Sequence, residues 1–256
     1  MGISAVIITK NEARNIERCL LSLRDIADEV IVVDSSSTDG TQDIARNLGA
    51  RVVEMEWQGY AATKNAANDL ATQDYILSLD ADEALSDTLR SSLRKLSQAR
   101  HTNQLQGTYS FNRLAYYCGQ PIRHAGWYPD RKMRLFPKGK ARWEGAFVHE
   151  ELVADSDLSN THLEGDLLHY TYYTIAEHVA RANKNSDLAA EQIAASSKSN
   201  LLLRARWSSR WRFFKMYVLK QGFRDGSLGH AVCRITAQEV YLKYAKAHQM
   251  RQEQNN

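Results

Sequence analysis

Residues Tyr75–Leu85 read YILSLDADEAL, five mostly apolar residues running directly into Asp80, Asp82 and Glu83. A short continuous apolar run without polar alternation is the pattern of a strand buried on both faces, as in a parallel sheet. Three carboxylates crowd its end, where the chain is expected to leave the sheet and begin a helix. As first-turn acids, Asp82 and Glu83 would simply favour the helix dipole. Asp80 and Asp82 differ from such acids because they close a buried strand, and side chains at i and i+2 can both be directed into one crevice. Asp155-Ser156-Asp157 has the same spacing with no such strand before it and reads as a plain loop.

Outward from this stretch the first eighty residues alternate. SAVII is followed by a helical stretch with Ile16, Leu20, Leu23 and Ala27 on one face, then EVIVVD, a short helix through Ile44 and Leu48, RVVEM, and a helix around Tyr60 to Leu70. Continuous apolar strands separated by helices predict an α/β fold with a mostly parallel sheet covered on both faces. Such sheets bind ligands outside the carboxyl ends of their strands. Three of those ends are polar here: Thr9-Lys10-Asn11-Glu12, Asp34-Ser35-Ser36-Ser37 and Asp80-Ala81-Asp82. The first of these turns, TKNEARN, holds no glycine, which argues against a dinucleotide oxidoreductase and against a P-loop enzyme.

A helix is expected at about 86–98, and the segment from Thr108 to Val153 is aromatic and glycine-punctuated, with Pro137-Lys138-Gly139-Lys140 as a turn between strands. Thr174 and Glu177 form a capping box that opens an alanine-rich helix to about Ser197. The resulting division is a catalytic region over 1–172, with halves of about 1–100 and 101–172, and a helical region over 173–256.

With 256 residues, 43% of them hydrophobic, the chain is long enough for one large domain or a domain with an appendage. Cys19, Cys118 and Cys233 are odd in number and never in a CxxC pair, so neither a zinc site nor a disulfide framework is expected, and a reducing cytoplasm is the simplest setting. The apolar runs fall far short of the roughly 20 residues of a membrane span, and MGISAVIITKNE has no basic region ahead of its apolar run, so no targeting segment is expected.

The net charge of +3 is uneven: Lys198 to Arg224 carries eight basic residues and no acid, leaving −5 for the rest. Within it, Trp207, Trp211, Phe214 and Val218 fall at helical spacing among Arg204, Arg206, Arg210, Arg212 and Lys215. Such a helix lies on an anionic membrane or packs its aromatics on the protein. A nucleic-acid-binding role fits poorly with the acidic strand ends and the negative remainder.

Together and in order, SAVIITKNEARNIERCLLSL, EVIVVDSSSTDGT, GYAATKNAAND, YILSLDADE, GWYPDRKMRLF and WEGAFVHEEL resemble the inverting glycosyltransferases of family 2, with the fold called GT-A, over about residues 3 to 153. By length and C-terminal character the chain is similar to bacterial lipopolysaccharide core β-1,4-glucosyltransferases. The resemblance implies transfer of a hexose, glucose from UDP-glucose first of all, to the heptose of an inner core, on the cytoplasmic face of the inner membrane. The alternatives are another sugar on a different glycolipid or glycan, and a sugar nucleotidyltransferase, whose usual glycine- and arginine-rich first loop is missing. The QxxRW motif and membrane helices of processive synthases are also missing, which implies single additions.

By the same resemblance Thr9, Glu12 and Asp34 contact base and ribose, Lys64 lies beside the nucleotide, Asp80 supports the sugar nucleotide, and Asp82 ligates Mn²⁺ or Mg²⁺ directly. The three carboxylates of the opening stretch are thereby expected to hold a divalent ion against a departing nucleotide diphosphate. Inverting transfer needs one carboxylate as base, and Glu150 in Val148-His149-Glu150-Glu151 is the candidate, with Glu144 and Glu151 left open. His149 is a candidate metal ligand or diphosphate contact. Trp127, Tyr128 and Asp130 are candidate acceptor contacts, and Arg131, Lys132 and Arg134 are placed to meet acceptor phosphates.

Overall fold

The computed structural model describes residues 2–99, 106–145, 150–196 and 200–254. The chain forms two compact units, one made of residues up to Arg113 together with Asp130–His169, the other of Leu114–Pro129 and the chain from Tyr170 onward.

The first unit is α/β. Strand β1 (Ile3–Thr9) is buried at every position, and β4 (Tyr75–Asp80) at all but its last. They lie parallel beside each other, with β2 (Glu29–Asp34) and β3 (Arg51–Glu54) continuing the parallel run on the other side of β1. Helices α1 (Ile16–Ser22), α2 (Thr41–Asn47) and α3 (Tyr60–Asp69) are the crossovers. Ile7, Ile16, Leu23, Val32, Leu77 and Leu89 form the core on one side of the sheet, and Val6, Ile31, Ile76 and Phe136 form it on the other.

The helix expected at about 86–98 forms as α4 (Asp87–Ala99), but the chain does not pass straight into it: Glu83–Leu85 is a short strand, β5. The reason is pairing: β5 lies antiparallel to β11 (Asn160–Tyr172), with His169 opposite Glu83 and Leu167 opposite Leu85. The sheet therefore turns mixed beyond β4, where β8 (Asp130–Pro137) runs antiparallel to both β4 and β6 (Thr108–Tyr117), in the order β3-β2-β1-β4-β8-β6-β11-β5. A separate hairpin joins β9 (Ala141–Glu144) to β10 (Glu151–Ala154), entered by the predicted turn at Pro137–Lys140.

The second unit opens with the end of β6, which pairs with β7 (Gln120–Pro121) through a two-residue turn; Cys118 and Gly119 both have positive φ, as a tight hairpin of this hand requires. Its helices are α5 (Ile175–Ser196), α6 (Leu201–Phe214) and α7 (Gly226–Gln254), with irregular helical turns over 215–225 between the last two. The capping box at the start of α5 forms as expected, Thr174 Oγ1 accepting from the Glu177 N–H and Glu177 Oε2 accepting from Thr174 and Tyr173. Small residues set the seam between α6 and its neighbours: Ala190, Ala205 and Ala247 are fully buried beside Leu201 and Tyr244. Gly229 is required at the start of α7, since a Cβ there would lie 2.2 Å from the Gly222 carbonyl oxygen. Among the described residues no helix is long and apolar enough to cross a membrane.

Candidate active site

Register brings the three polar strand ends together. Thr9 is the partner of Asp34 in the β1–β2 ladder, and Ile8 is the partner of Asp80 in β1–β4, so Thr9, Asp34 and Asp80 end three adjacent strands at one sheet edge. Neighbouring strands stand about 4.8 Å apart, so one bound molecule can span all three.

The β1 and β2 ends are stitched to each other. Asn11 N–H donates to Ser37 Oγ, Thr38 N–H to Asn11 Oδ1, and Glu12 N–H to Thr41 Oγ1, each within 2.7–2.8 Å. Asp34 is wholly buried and accepts from Ser37 and from Gln42 Nε2; an ionised carboxylate offers about four lone pairs, which leaves acceptor capacity for a hydroxyl. Glu12 accepts from Asn15 Nδ2 at 2.7 Å. Thr9 Oγ1 is buried and has no hydrogen-bond partner among the described residues, which suits a polar atom awaiting a ligand.

At the β4 end Asp80 and Glu83 share Arg134, while Asp82 takes a partner of its own. Asp80 accepts from Lys64 Nζ at 2.9 Å and from Arg134 Nη2 at 3.1 Å. Asp82 Oδ2 lies 3.2 Å from His169 Nε2. Glu83 is turned inward, 1% exposed, accepting from Arg134 at 2.8 Å and from the Asp80 N–H at 3.0 Å. Glu83 thus braces the strand end and is not aimed with the other two carboxylates, because β5 pairing directs it under the sheet edge.

Burial alone would raise the Asp80 carboxyl, but the Lys64 charge and then Arg134 outweigh it and hold it well below the usual carboxylate range. Burial would likewise lower Arg134, yet Glu83 and then Asp80 push its guanidinium further up. Cys19, beneath the site, is raised well above the ordinary thiol range by burial first and then by Glu83, Asp82 and Asp80, so it is an inert neighbour.

Lys64 is the link to the far wall. Only 2% exposed, it also donates to Glu150 Oε1 at 3.2 Å and lies 4.3 Å from the centre of the Trp143 ring, with Arg134 over the same ring at 5.3 Å. Asn65 fixes β9 by a reciprocal pair of bonds to the Trp143 backbone, both 2.9 Å. A cavity of about 300 Å³ opens here, with Lys64, Asp80, Arg113, Arg131, Glu150 and Trp143 among its lining. Glu144 and Glu151 face each other in the β9–β10 register and are exposed, whereas Glu150 precedes the strand and is 17% exposed against Lys64. Glu151 also touches the cavity rim.

The remaining candidates divide between the units. Arg134 is committed to Asp80 and Glu83. Asp130 is held by Arg113 at 2.7 Å and Lys132 at 3.1 Å. In the second unit, Trp127 is half-buried, with its ring centre 6.1 Å from that of Tyr117 and 6.5 Å from that of Tyr172, and Tyr128 lies under Arg123 at 5.7 Å. His149 lies outside the described residues.

His169 and Arg113 were not singled out from sequence. Their signals are faint: one polar ring in the aromatic run LLHYTYY, and one arginine in TYSFNRLAYY.

Among the described residues no three His, Cys, Asp or Glu side chains cluster as a closed metal cage. Mg²⁺ and Mn²⁺ are commonly held by one or two protein groups with the remaining positions on water and substrate phosphate, and a carboxylate beside an imidazole is a fitting pair for Mn²⁺. Asp82 with His169 meets that description, while Asp80 is occupied by its two cations.

Residues 4–155, which carry this sheet and its acidic and basic strand ends, match Glycosyl transferase family 2, to which the chain belongs. A Rickettsia bellii protein named "Uncharacterized glycosyltransferase" is 34% identical over 265 residues, 97% of this chain and 86% of its own length. The Rhizobium meliloti "Lipopolysaccharide core biosynthesis glycosyltransferase LpsC" is 29% identical over 258 residues, covering 96% of this chain and 94% of its own. Among solved structures, glucosyl-3-phosphoglycerate synthase from Mycobacterium tuberculosis, with Mn²⁺, UDP and glucosyl-3-phosphoglycerate, is 27% identical at a TM-score of 0.34, over 45% of this chain and 44% of that one. The α/β expectation and the family resemblance are both borne out.

Proposed function

We propose that the protein transfers one hexose, with inversion, from a nucleotide sugar to a lipid-linked core oligosaccharide, with UDP-glucose as donor and an inner-core heptose as acceptor. The observation that carries this reading is Lys64, which joins Asp80 at the sheet edge to Glu150 across the cavity. The near full-length match to a protein named for lipopolysaccharide core biosynthesis favours the acceptor class. Another sugar or glycan acceptor is the alternative that a donor and acceptor panel decides.

In this reading Thr9, Glu12 and Asp34 receive base and ribose, and Lys64 and Asp80 position the diphosphate and sugar. Asp82 with His169, and His149 as expected from sequence, would hold a divalent cation, which would supply positive charge to the leaving diphosphate. Glu150 accepts the proton of the acceptor hydroxyl as its oxygen forms the new bond to the anomeric carbon from the face opposite the leaving group. The old carbon–oxygen bond breaks, and its electron pair departs on the nucleotide diphosphate. Asp130 contacts acceptor, Trp127 and Tyr128 are further acceptor contacts expected from sequence, and Arg131 and Lys132, rather than the committed Arg134, suit an acceptor that carries phosphate.

The test is nucleotide release from a panel of UDP-, GDP-, ADP- and CMP-sugars with heptose-containing core lipid, in Mn²⁺ or Mg²⁺ and again with chelator. Acceptor-dependent release from one donor, lost on chelation, is expected. Glu150→Gln is expected to keep donor affinity and lose about 10²- to 10⁴-fold in turnover. Wild-type turnover by that variant would remove Glu150 from the base role.

A further inference from the structure

Helix α6 has two apolar faces, and the structure covers only one. On the inner face Leu201 and Ala205 are buried beside Tyr244 and Ala247, and Ser209 Oγ donates to the Ala237 carbonyl of α7 at 2.8 Å. On the outer face Leu203, Trp207, Trp211, Phe214 and Val218 follow one another at spacings of four, four, three and four, which at 3.6 residues per turn makes a single stripe. They are between 44% and 65% exposed, and Leu202, Leu219 and Phe223 are exposed as well. Isolated exposed apolar residues are ordinary, but a contiguous aromatic stripe marks an interaction surface.

The charges around the stripe identify its partner. Arg206 and Arg210 fall along one rim and Arg204 and Lys215 along the other, and no acid occurs from Leu201 to Arg224. Two copies meeting through this face would set cations against cations. Nucleic acid would engage the arginines and stack on the tryptophans, but would leave Leu203, Val218 and Leu219 without a partner. We propose that this face of α6 and the turn after it seats on an anionic phospholipid bilayer, the stripe entering the headgroup–acyl boundary and the rim cations contacting lipid phosphates.

The experiment is vesicle co-sedimentation of the full chain at low salt, with neutral vesicles and with vesicles containing anionic phospholipid. Binding to the anionic vesicles is expected, weakened by salt and weak on neutral ones. Each rim cation is expected to contribute about fivefold in partition, so Arg206→Gln with Arg210→Gln lowers it about 25-fold. Trp207→Ser with Trp211→Ser is expected to lower it at least tenfold.

These residues are exposed, so the variants should retain the wild-type melting temperature and bind UDP-sugar as wild type does in the absence of vesicles. That second readout separates failure here from failure of the transfer reading. Wild-type protein left in the supernatant would overturn the proposal. So would a dimer dissolved by the tryptophan substitutions, or preference for nucleic acid over vesicles at equal charge.

Discussion

Lys64 Nζ reaches Asp80 at 2.9 Å and Glu150 at 3.2 Å while nearly sealed from solvent. A buried cation with two carboxylate partners is expensive to lose, since its removal leaves buried charge uncompensated. Lys64→Met is expected to lower unfolding free energy by about 3 kcal/mol or more in urea titration, and a change within the noise of the titration would mean that the three groups are not coupled. Arg134→Lys should not rescue Arg134→Met fully, because a compact ammonium lacks the planar group that lies over the Trp143 ring while its Nη2 meets both Asp80 and Glu83. The sign of the acid response follows from Asp80. Its carboxyl is held below the unfolded value, so its contribution is present above about pH 4 and is lost as the pH falls further. Asp80→Asn should flatten that acid limb of a stability–pH curve. Sequence marked Lys64, Asp80 and Glu150 because they stand in short contiguous motifs. It did not mark His169, which meets Asp82 only through strand pairing 87 residues away.

At the scale of elements, the parallel strands were legible because a strand buried on both faces writes itself as an unbroken apolar run, as in ISAVIIT. The antiparallel half was not, since β5 is three residues long and its identity depends on a partner far down the chain. The start of α5 offers a pH test. His178 is 3% exposed, stacked 4.5 Å from Tyr172 and within 3.2 Å of the Tyr117 hydroxyl. Burial first, and Arg181 second, lower its pKa to about 4. Between that value and about 6.5 the unfolded chain binds a proton that the folded chain refuses, so stability rises with pH across the window. Melting temperature should therefore fall on acidification from pH 7 to 4.5, by at most about 1.4 kcal/mol per pH unit in free energy, and His178→Gln should remove that slope. An unchanged slope would assign the acid sensitivity elsewhere.

For the whole molecule, the two compact units are not two consecutive lengths of chain. Residues 114–129 sit with the C-terminal helices, where Tyr117, Ile122 and Ala125 share a core with Met216, Val232 and Cys233, and both Arg123 and His124 donate backbone N–H to Asp225. The onset of helix at Thr174 put the expected division at residue 173, and periodicity along the chain carries no information about a segment that packs with residues far downstream. A chain ended at residue 172 is expected to bind a hydrophobic dye and to lack the cooperative unfolding of the full chain, whereas a sharp transition would make 1–172 a domain in its own right. The same discontinuity sets a timetable for synthesis. The parallel strands emerge within eighty residues of one another, but Ile122 and Ala125 emerge about a hundred residues ahead of Val232 and Cys233, so their apolar surface stays open until those later residues have been made.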